Sequence, residues 1–291
     1  MGNGIFEPEF LKRLERLSLN MEKLTAEGSG GLRKSRAKGS SVEFSDFREY
    51  AYGDDLRRVD WNAYGRFEKL FVKLFMEERE AMVNIFLDCS KSMDFGTPKK
   101  SIMGIQLAAA ISFLALNNMD RLCINLLKKD SMVSSNVLGG RGQFDICAAF
   151  LDNVQFEGTT NMDKAIKLKR FGGRGLTLIL SDFFTQGSME DLLKYLMFYK
   201  QDIVLVHILS PQELNPELQG QIRLKDSETG EMVDVDITSS FYDKYQQTLS
   251  NFKSSLKEMA KKYGGAYVAI SSNDSLEKIL FEDMITSQII K

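Results

Sequence analysis

Histidine is almost missing from this chain, with one, His207, among 291 residues. It sits inside the apolar run "IVLVHIL", where a hydrogen-bonded core residue is expected rather than a ligand or a base. Without a second histidine, a Ser-His-Asp or Cys-His mechanism has little to stand on. Cysteine is scarce too. Cys89, Cys123 and Cys147 are odd in number, lack metal-ligand spacing and each lie in or beside an apolar stretch. They read as buried, reduced thiols of a reducing compartment.

Neither sign of charge prevails. A formal net charge of -2 gives no global reason to expect nucleic acid or an anionic membrane as partner. The local exception is "GSGGLRKSRAKGSS", with Arg33, Lys34, Arg36 and Lys38 close together. It has no interleaved aromatic residues for base stacking and reads as a solvated, mobile loop.

Long apolar runs are absent as well. Residues 102–116 are interrupted by Gln106 and Ser112 and fall short of the roughly 20 residues a membrane span needs, so a buried helix is expected and no membrane span. The opening "MGNGIFEPEFLKRLERL" carries acids early and no apolar signal core, which points to a cytoplasmic location. No internal repeat is visible. No G-x-x-x-x-G-K-[ST] occurs, and "GGRG" at 139–142 and 172–175 lacks the lysine that would cradle phosphates.

What the chain has is enough apolar content, 43% hydrophobic, for one sizeable core and a smaller subdomain. Residues 8–24 place Phe10, Leu11, Leu14, Leu17, Met21 and Leu24 at helical spacing. Strand-like "SVEFSDFREY" and "LFVKLFMEER" flank the polar "DDLRRVDWNAYG". Together these predict an N-terminal α+β accessory unit over residues 1–80. Within it Asp54 or Asp55 is expected to cap a short helix, Arg57 or Arg58 to pair with Asp60, and Trp61 to anchor a seam.

From residue 81 to 291 the pattern changes. The runs "MVNIFL", "RLCINLL", "LTLIL", "DIVLVHIL" and "AYVAI" alternate with helical segments near 99–118, 143–153, 161–171, 188–200, 239–263 and from 275 onward. That alternation predicts an α/β fold, a mostly parallel sheet with helices on both faces. "MVSSNVL" suits an edge strand, and residues 220–237 read as a β-hairpin insertion turned at Thr229 and Gly230.

Ligands of such sheets bind at the carboxyl ends of the strands. Asp88, Ser90 and Ser92 end the first core strand, Thr159 and Thr160 open a helix in "EGTTNMDKAI", and Asp182 ends "LTLILSD". Hydroxyls and carboxylates are hard oxygen ligands, suited to Mg²⁺ with Mn²⁺ or Ca²⁺ as alternatives. The competing structural role for Ser90 and Ser92 is helix capping after a βα turn.

D-x-S-x-S, a G-x-T loop and a later strand-ending Asp, in that order, resemble the von Willebrand factor A domain and its metal-ion-dependent adhesion site. The resemblance assigns Asp88, Ser90, Ser92, Thr160 within "GTTN" and Asp182 within "ILSDF" to the metal, with Thr159 as the neighbouring choice. Phe183 stands where that family commonly has Gly. The segment E-F-x-x-x-R-x-Y from Glu43 to Tyr50, then G-D-D-x-R-x-V-D-W from Gly53 to Trp61, is similar to the bacterial family called domain of unknown function fifty-eight.

These resemblances imply a metal-dependent protein–protein interaction module, an adaptor for a MoxR-type AAA+ ATPase, whose partner presents an Asp or Glu to the ion. Two alternatives stand beside it. One is a Mg²⁺-dependent phosphoester hydrolase with Asp88 as nucleophile, for which Ser90 occupies the place of the expected second acid. The other is a scaffold that uses no metal.

Overall fold

The structure is a computed structural model that describes residues 6–20, 42–77, 81–217, 220–226 and 230–291. The basic loop at 33–38, the end of the N-terminal helical pattern at Met21 and Leu24, and Thr229 of the hairpin turn lie outside the described residues. The chain divides into two compact units, one of residues 30–80 and a larger one of residues 1–29 with 81–291.

Helix α1 (Pro8–Leu14) starts on a proline, whose missing N–H is harmless in a first helical turn. Leu14 is fully buried, and Phe10 and Leu11 pack against the larger unit's core. The chain then pairs with its own C-terminus: Ser18 N–H donates to Lys291 O (2.8 Å), Lys291 N–H returns to Ser18 O (2.9 Å), and Leu19 bridges Ile290. The expected extent of the accessory unit, residues 1–80, is therefore corrected at its start: residues 1–29 group with the larger unit, while the division after residue 80 stands. The apolar stripe of α1 covers part of the main core and does not belong to the accessory unit.

In the small unit, β1 (Val42–Glu49) and β2 (Phe71–Glu77) pair antiparallel, with a register shift between Phe44 and Asp46. Asp55 accepts from Arg57 N–H to start the 3-10 turn Leu56–Arg58. Asp60 caps α2 (Trp61–Phe67) by accepting from Asn62 and Ala63 N–H. Asp54 instead accepts from Arg48 Nη2 on both carboxylate oxygens and from Ala51 N–H, at 2.9 Å each. Trp61 is 61% exposed and lies edge-on to Tyr64, on a helix with no buried residue.

The larger unit runs β3 (Met82–Asp88), α3 (Lys100–Asn117), β4 (Arg121–Lys128), β5 (Ser131–Ser134), β6 (Leu138–Gly139) and α4 (Phe144–Asp152). It continues with α5 (Met162–Lys167), β7 (Gly175–Ser181), α6 (Met189–Phe198), β8 (Gln201–Leu209) and α7 (Pro211–Leu214). The antiparallel hairpin β9 (Gly220–Lys225) and β10 (Met232–Ile237) follows, as its own two-stranded sheet. Helix α8 (Ser239–Lys262), β11 (Ala266–Ser271) and helical turns over 276–286 close the chain.

The main sheet has the order β11-β8-β7-β3-β4-β5. β11, β8, β7, β3 and β4 run parallel, and the short β5 and β6 pair antiparallel with β4. Counted along the chain this is the order 3-2-1-4-5-6 of doubly wound sheets, whose direction of winding reverses between β3 and β7. Side chains alternate across the sheet. Val83, Ile85 and Leu87 face the layer of α3, α4 and α1, and Phe86, Ile179 and Leu205 face α5, α6 and α8.

Each of these fully buried apolar side chains contributes about 1.5–3 kcal/mol. Helix α3 is long and apolar enough to cross a membrane by composition, but 78% of it is buried inside the unit. Apolar character all round suits a helix enclosed on several sides.

The placement of α1 is testable by Leu14→Ala. Deleting a fully buried leucine side chain should lower the unfolding free energy of the main core by about 2–5 kcal/mol, measured by urea denaturation. A loss under about 1 kcal/mol would return α1 to a dispensable position.

Candidate functional site

The reversal point of the sheet places the ends of β3 and β7 side by side, and the polar residues sit there. Past Asp88 the ladder continues for one residue, Cys89 N–H donating to Leu127 O. The chain then turns at Ser90 into the 3-10 turn Lys91–Asp94. Ser90 makes no side-chain capping bond; its Oγ lies 2.9 Å from Ser92 Oγ. The capping explanation for the Ser90 hydroxyl is thereby removed.

The second loop is stitched to the first. Lys91 N–H donates to Gly158 O and Glu157 N–H to Cys89 O, both at 2.9 Å. Lys129 N–H to Thr159 O and Asn161 N–H to Lys129 O pin the same loop to the end of β4. Thr185 Oγ1 donates to Thr160 O at 2.6 Å. Thr160 is thereby held at 2% exposure, and its Oγ1 is buried without a well-formed hydrogen bond. Even so, it stands close enough to Asp88 to be among the groups that favour that carboxylate. Thr159, half-buried, uses its carbonyl in the stitching and is the weaker choice.

Asp88 is 1% exposed. Ser90 N–H donates to its Oδ1 (3.0 Å) and Ser181 Oγ to its Oδ2 (2.6 Å). Burial, then the neighbouring Asp182, push its pKa above the usual carboxylate range, while Ser181, the Ser90 N–H and Thr160 hold it back. Asp182 is fully buried and accepts from Phe184 N–H at 3.0 Å. Asp88, Ser90, Ser92, Thr160 and Asp182 thus converge at one end of the sheet.

Phe183 has φ +59°, a left-handed conformation that a side chain with Cβ resists by about 1–2 kcal/mol, which accounts for glycine at this place in the resembling family. Its ring is 3% exposed and packs edge-on against His207, so it fills the layer beneath the sheet end.

Three residues escaped the sequence reading. Ser181 is one. Lys100 and Glu213 are the others: Lys100 Nζ donates to Asp182 Oδ2 at 2.7 Å and to Glu213 Oε1 at 2.5 Å. A signal existed. Lys99 and Lys100 open α3 with no acid in its first turn, where the helix dipole disfavours a cation; a buried carboxylate partner elsewhere was implied.

The donor set is oxygen only, two carboxylates and three hydroxyls. Among the described residues no group of three or more His, Cys, Asp or Glu is placed to hold a metal. Such sparse acid suits a weakly held hard cation that keeps water, rather than a carboxylate cage. The thiols take no part: all three are free and buried, and burial pushes Cys89 and Cys147 up to about 12.

Fold and site together define a doubly wound α/β domain with an oxygen-lined cluster at its winding reversal. The chain belongs to the family described as Protein of unknown function DUF58, which matches over residues 46–254. Uncharacterized protein Rv1480 of Mycobacterium tuberculosis and Uncharacterized protein Mb1516 of Mycobacterium bovis are each 23% identical over 242 residues, 81% of this chain and 76% of theirs. Among solved structures, BatB from Bacteroides thetaiotaomicron aligns with 71% of this chain and 98% of its own at 14% identity and TM-score 0.45. The SpRpn10 VWA domain aligns with 68% and 92% at 11% identity and TM-score 0.39. An aerotolerance-related membrane protein from Bacteroides fragilis aligns with 71% and 99% at 14% identity and TM-score 0.44.

Beneath Asp182, His207 is fully buried with Nδ1 2.8 Å from the Tyr267 hydroxyl. Burial, against the pull of Asp182 and with help from Lys253 and Lys100, pushes its pKa down to about 4. A depressed folded-state value means the stabilisation is present above the unfolded pKa of about 6.5 and is lost as pH falls toward the folded one. Between pH 7 and pH 5 the protein should lose about 2 kcal/mol through this group, and His207→Gln should remove that part of the slope in urea unfolding at the two pH values. An unchanged slope would contradict it.

Proposed function

We propose that the chain is a metal-dependent protein-docking module. In this reading Ser90, Ser92 and Thr160 hold a Mg²⁺, or Mn²⁺ or Ca²⁺ in its place, with the carboxylates of Asp88 and Asp182 beside it. The observation that carries the reading is the Thr160 hydroxyl. A buried hydroxyl without a well-formed hydrogen bond costs about 1–3 kcal/mol; that of Thr160 lies beside Asp88, at the sheet end that also carries the Ser90–Ser92 hydroxyl pair. A hard cation would satisfy all of them at once.

A bound ion with few protein charges around it stays electrophilic and keeps a coordination position for an incoming oxygen. An Asp or Glu side chain of a partner protein supplies that oxygen, and the loops carrying Ser90–Asp94 and Gly158–Asn161 supply the contacts that select it. The partner we infer is a MoxR-type AAA+ ATPase or its client, with this chain as adaptor in the cytoplasm. No nucleic-acid role follows from the charge balance.

One observation favours the hydrolase alternative. Lys100 gives the site the cation that phosphoryl transfer needs. It is, however, fully buried and clasped by two carboxylates, so it cannot meet a substrate phosphate without leaving both. Docking accounts for the arrangement with fewer movements.

Isothermal titration with Mg²⁺ and Mn²⁺, alone and with the candidate ATPase, tests the proposal. Wild type should bind saturably and form the complex only with metal. Asp88→Ala, and Ser90→Ala with Ser92→Ala, should weaken metal binding by more than the roughly 10–100-fold that outer-sphere changes cause, with unchanged circular dichroism. Normal complex formation by these variants would overturn the proposal. Mg²⁺-dependent turnover of p-nitrophenyl phosphate that disappears in Asp88→Asn would install the hydrolase in its place.

A further inference from the structure

We infer that Lys100 is a built-in counter-cation that sets how tightly the site holds a divalent ion, an inference that rests on the metal-docking reading above. Lys100 is fully buried in the first turn of α3, the positive end of a helix that has no acid there. The local help is weak, the Phe95 ring centroid standing 5.9 Å from Nζ. Among the described residues its ion-pair partners come from distant parts of the chain, Asp182 at the end of β7 and Glu213 in α7.

Glu213 is itself fastened. Its Oε2 accepts from Ser210 N–H (2.7 Å) and Ser210 Oγ (3.0 Å), the capping box of α7, which leaves Oε1 for Lys100. The ammonium therefore stands between two carboxylates, one beside Asp88 and one held away from it. An ion placed by Asp88 and Asp182 feels the positive charge of Lys100 immediately behind Asp182, and feels Glu213 only across it.

The consequence is electrostatic. Without Lys100 a divalent cation would meet two carboxylates at close quarters, bind tightly and lose much of its attraction for a third. With Lys100 one of those charges is already countered inside the protein, so the ion is held less firmly and retains the charge that draws a partner's carboxylate. Lys100 is in this sense a positioning residue for charge. It touches neither ion nor partner.

Charge arithmetic supplies a test that a purely structural role would not follow. Mn²⁺ is titrated calorimetrically into the full chain as wild type, Lys100→Met, Glu213→Gln and the double variant, at one pH and ionic strength. Lys100→Met removes one positive charge and should bind Mn²⁺ roughly tenfold more tightly. Glu213→Gln removes one negative charge and should bind about threefold to tenfold more weakly. The double variant restores the balance and should return to within about threefold of wild type.

Lys100→Met leaves Asp182 buried without its cation, so its metal-free form should melt at lower temperature than wild type and regain the difference with Mn²⁺. If it fails to fold, Glu213→Gln carries the decision, and an unchanged affinity there overturns the inference. Equal or weaker binding by folded Lys100→Met also overturns it, as does a double variant that fails to return. Absence of Mn²⁺ binding by wild type would instead defeat the metal site itself, and this inference with it.

Discussion

Two carboxylates buried side by side are the constraint around which this protein is arranged. Asp88 and Asp182 end neighbouring parallel strands at the one place where the sheet reverses its winding, each at or below 1% exposure. Charges removed from water in this way need partners. Ser181 and the Ser90 amide serve Asp88, and Lys100 and the Phe184 amide serve Asp182. Those contacts in turn fix the loop after β3, the first turn of α3 and the first turn of α7.

The same constraint accounts for features that look unrelated. Phe183 takes a left-handed backbone because the chain must turn immediately after Asp182, with Ser181 Oγ accepting from its N–H. Glu213 completes a capping box and an ion pair with its two oxygens. The hydroxyls of Ser90, Ser92 and Thr160 are brought to the same sheet end with fewer protein partners than they can use. Acidic charge is satisfied from behind, and hydroxyl capacity remains in front. That asymmetry suits an ion that is held lightly and shared with a partner.

Much of this was legible in the chain because the signals are local. Strand runs such as "MVNIFL" and "LTLIL", and D-x-S-x-S directly after one of them, carry both the fold class and the candidate ligands. The accessory unit's cap at Asp55 was legible for the same reason, whereas Asp60, expected to pair with an arginine, caps α2. What was not legible depends on tertiary choice. The apolar stripe of α1 says that it must be covered, and not by which core; Leu14 found the main one. Trp61 reads from its size as a packing residue, and within its own unit it contacts Tyr64 while largely exposed. Lys100 is the instructive miss, because a lysine opening an apolar helix without a nearby acid is a local conflict. Conflicts of that kind mark a partner distant in sequence.

The most direct measurement is a crystal structure of the chain grown with Mn²⁺ and recorded at a wavelength where manganese scatters anomalously. A single anomalous peak among Asp88, Ser90, Ser92 and Thr160, with Lys100 still paired to Asp182, is the predicted result. An intact Ser90–Ser92 hydrogen bond with no peak at the ends of β3 and β7 would contradict it, and would leave the two buried acids as structural groups satisfied by protein alone.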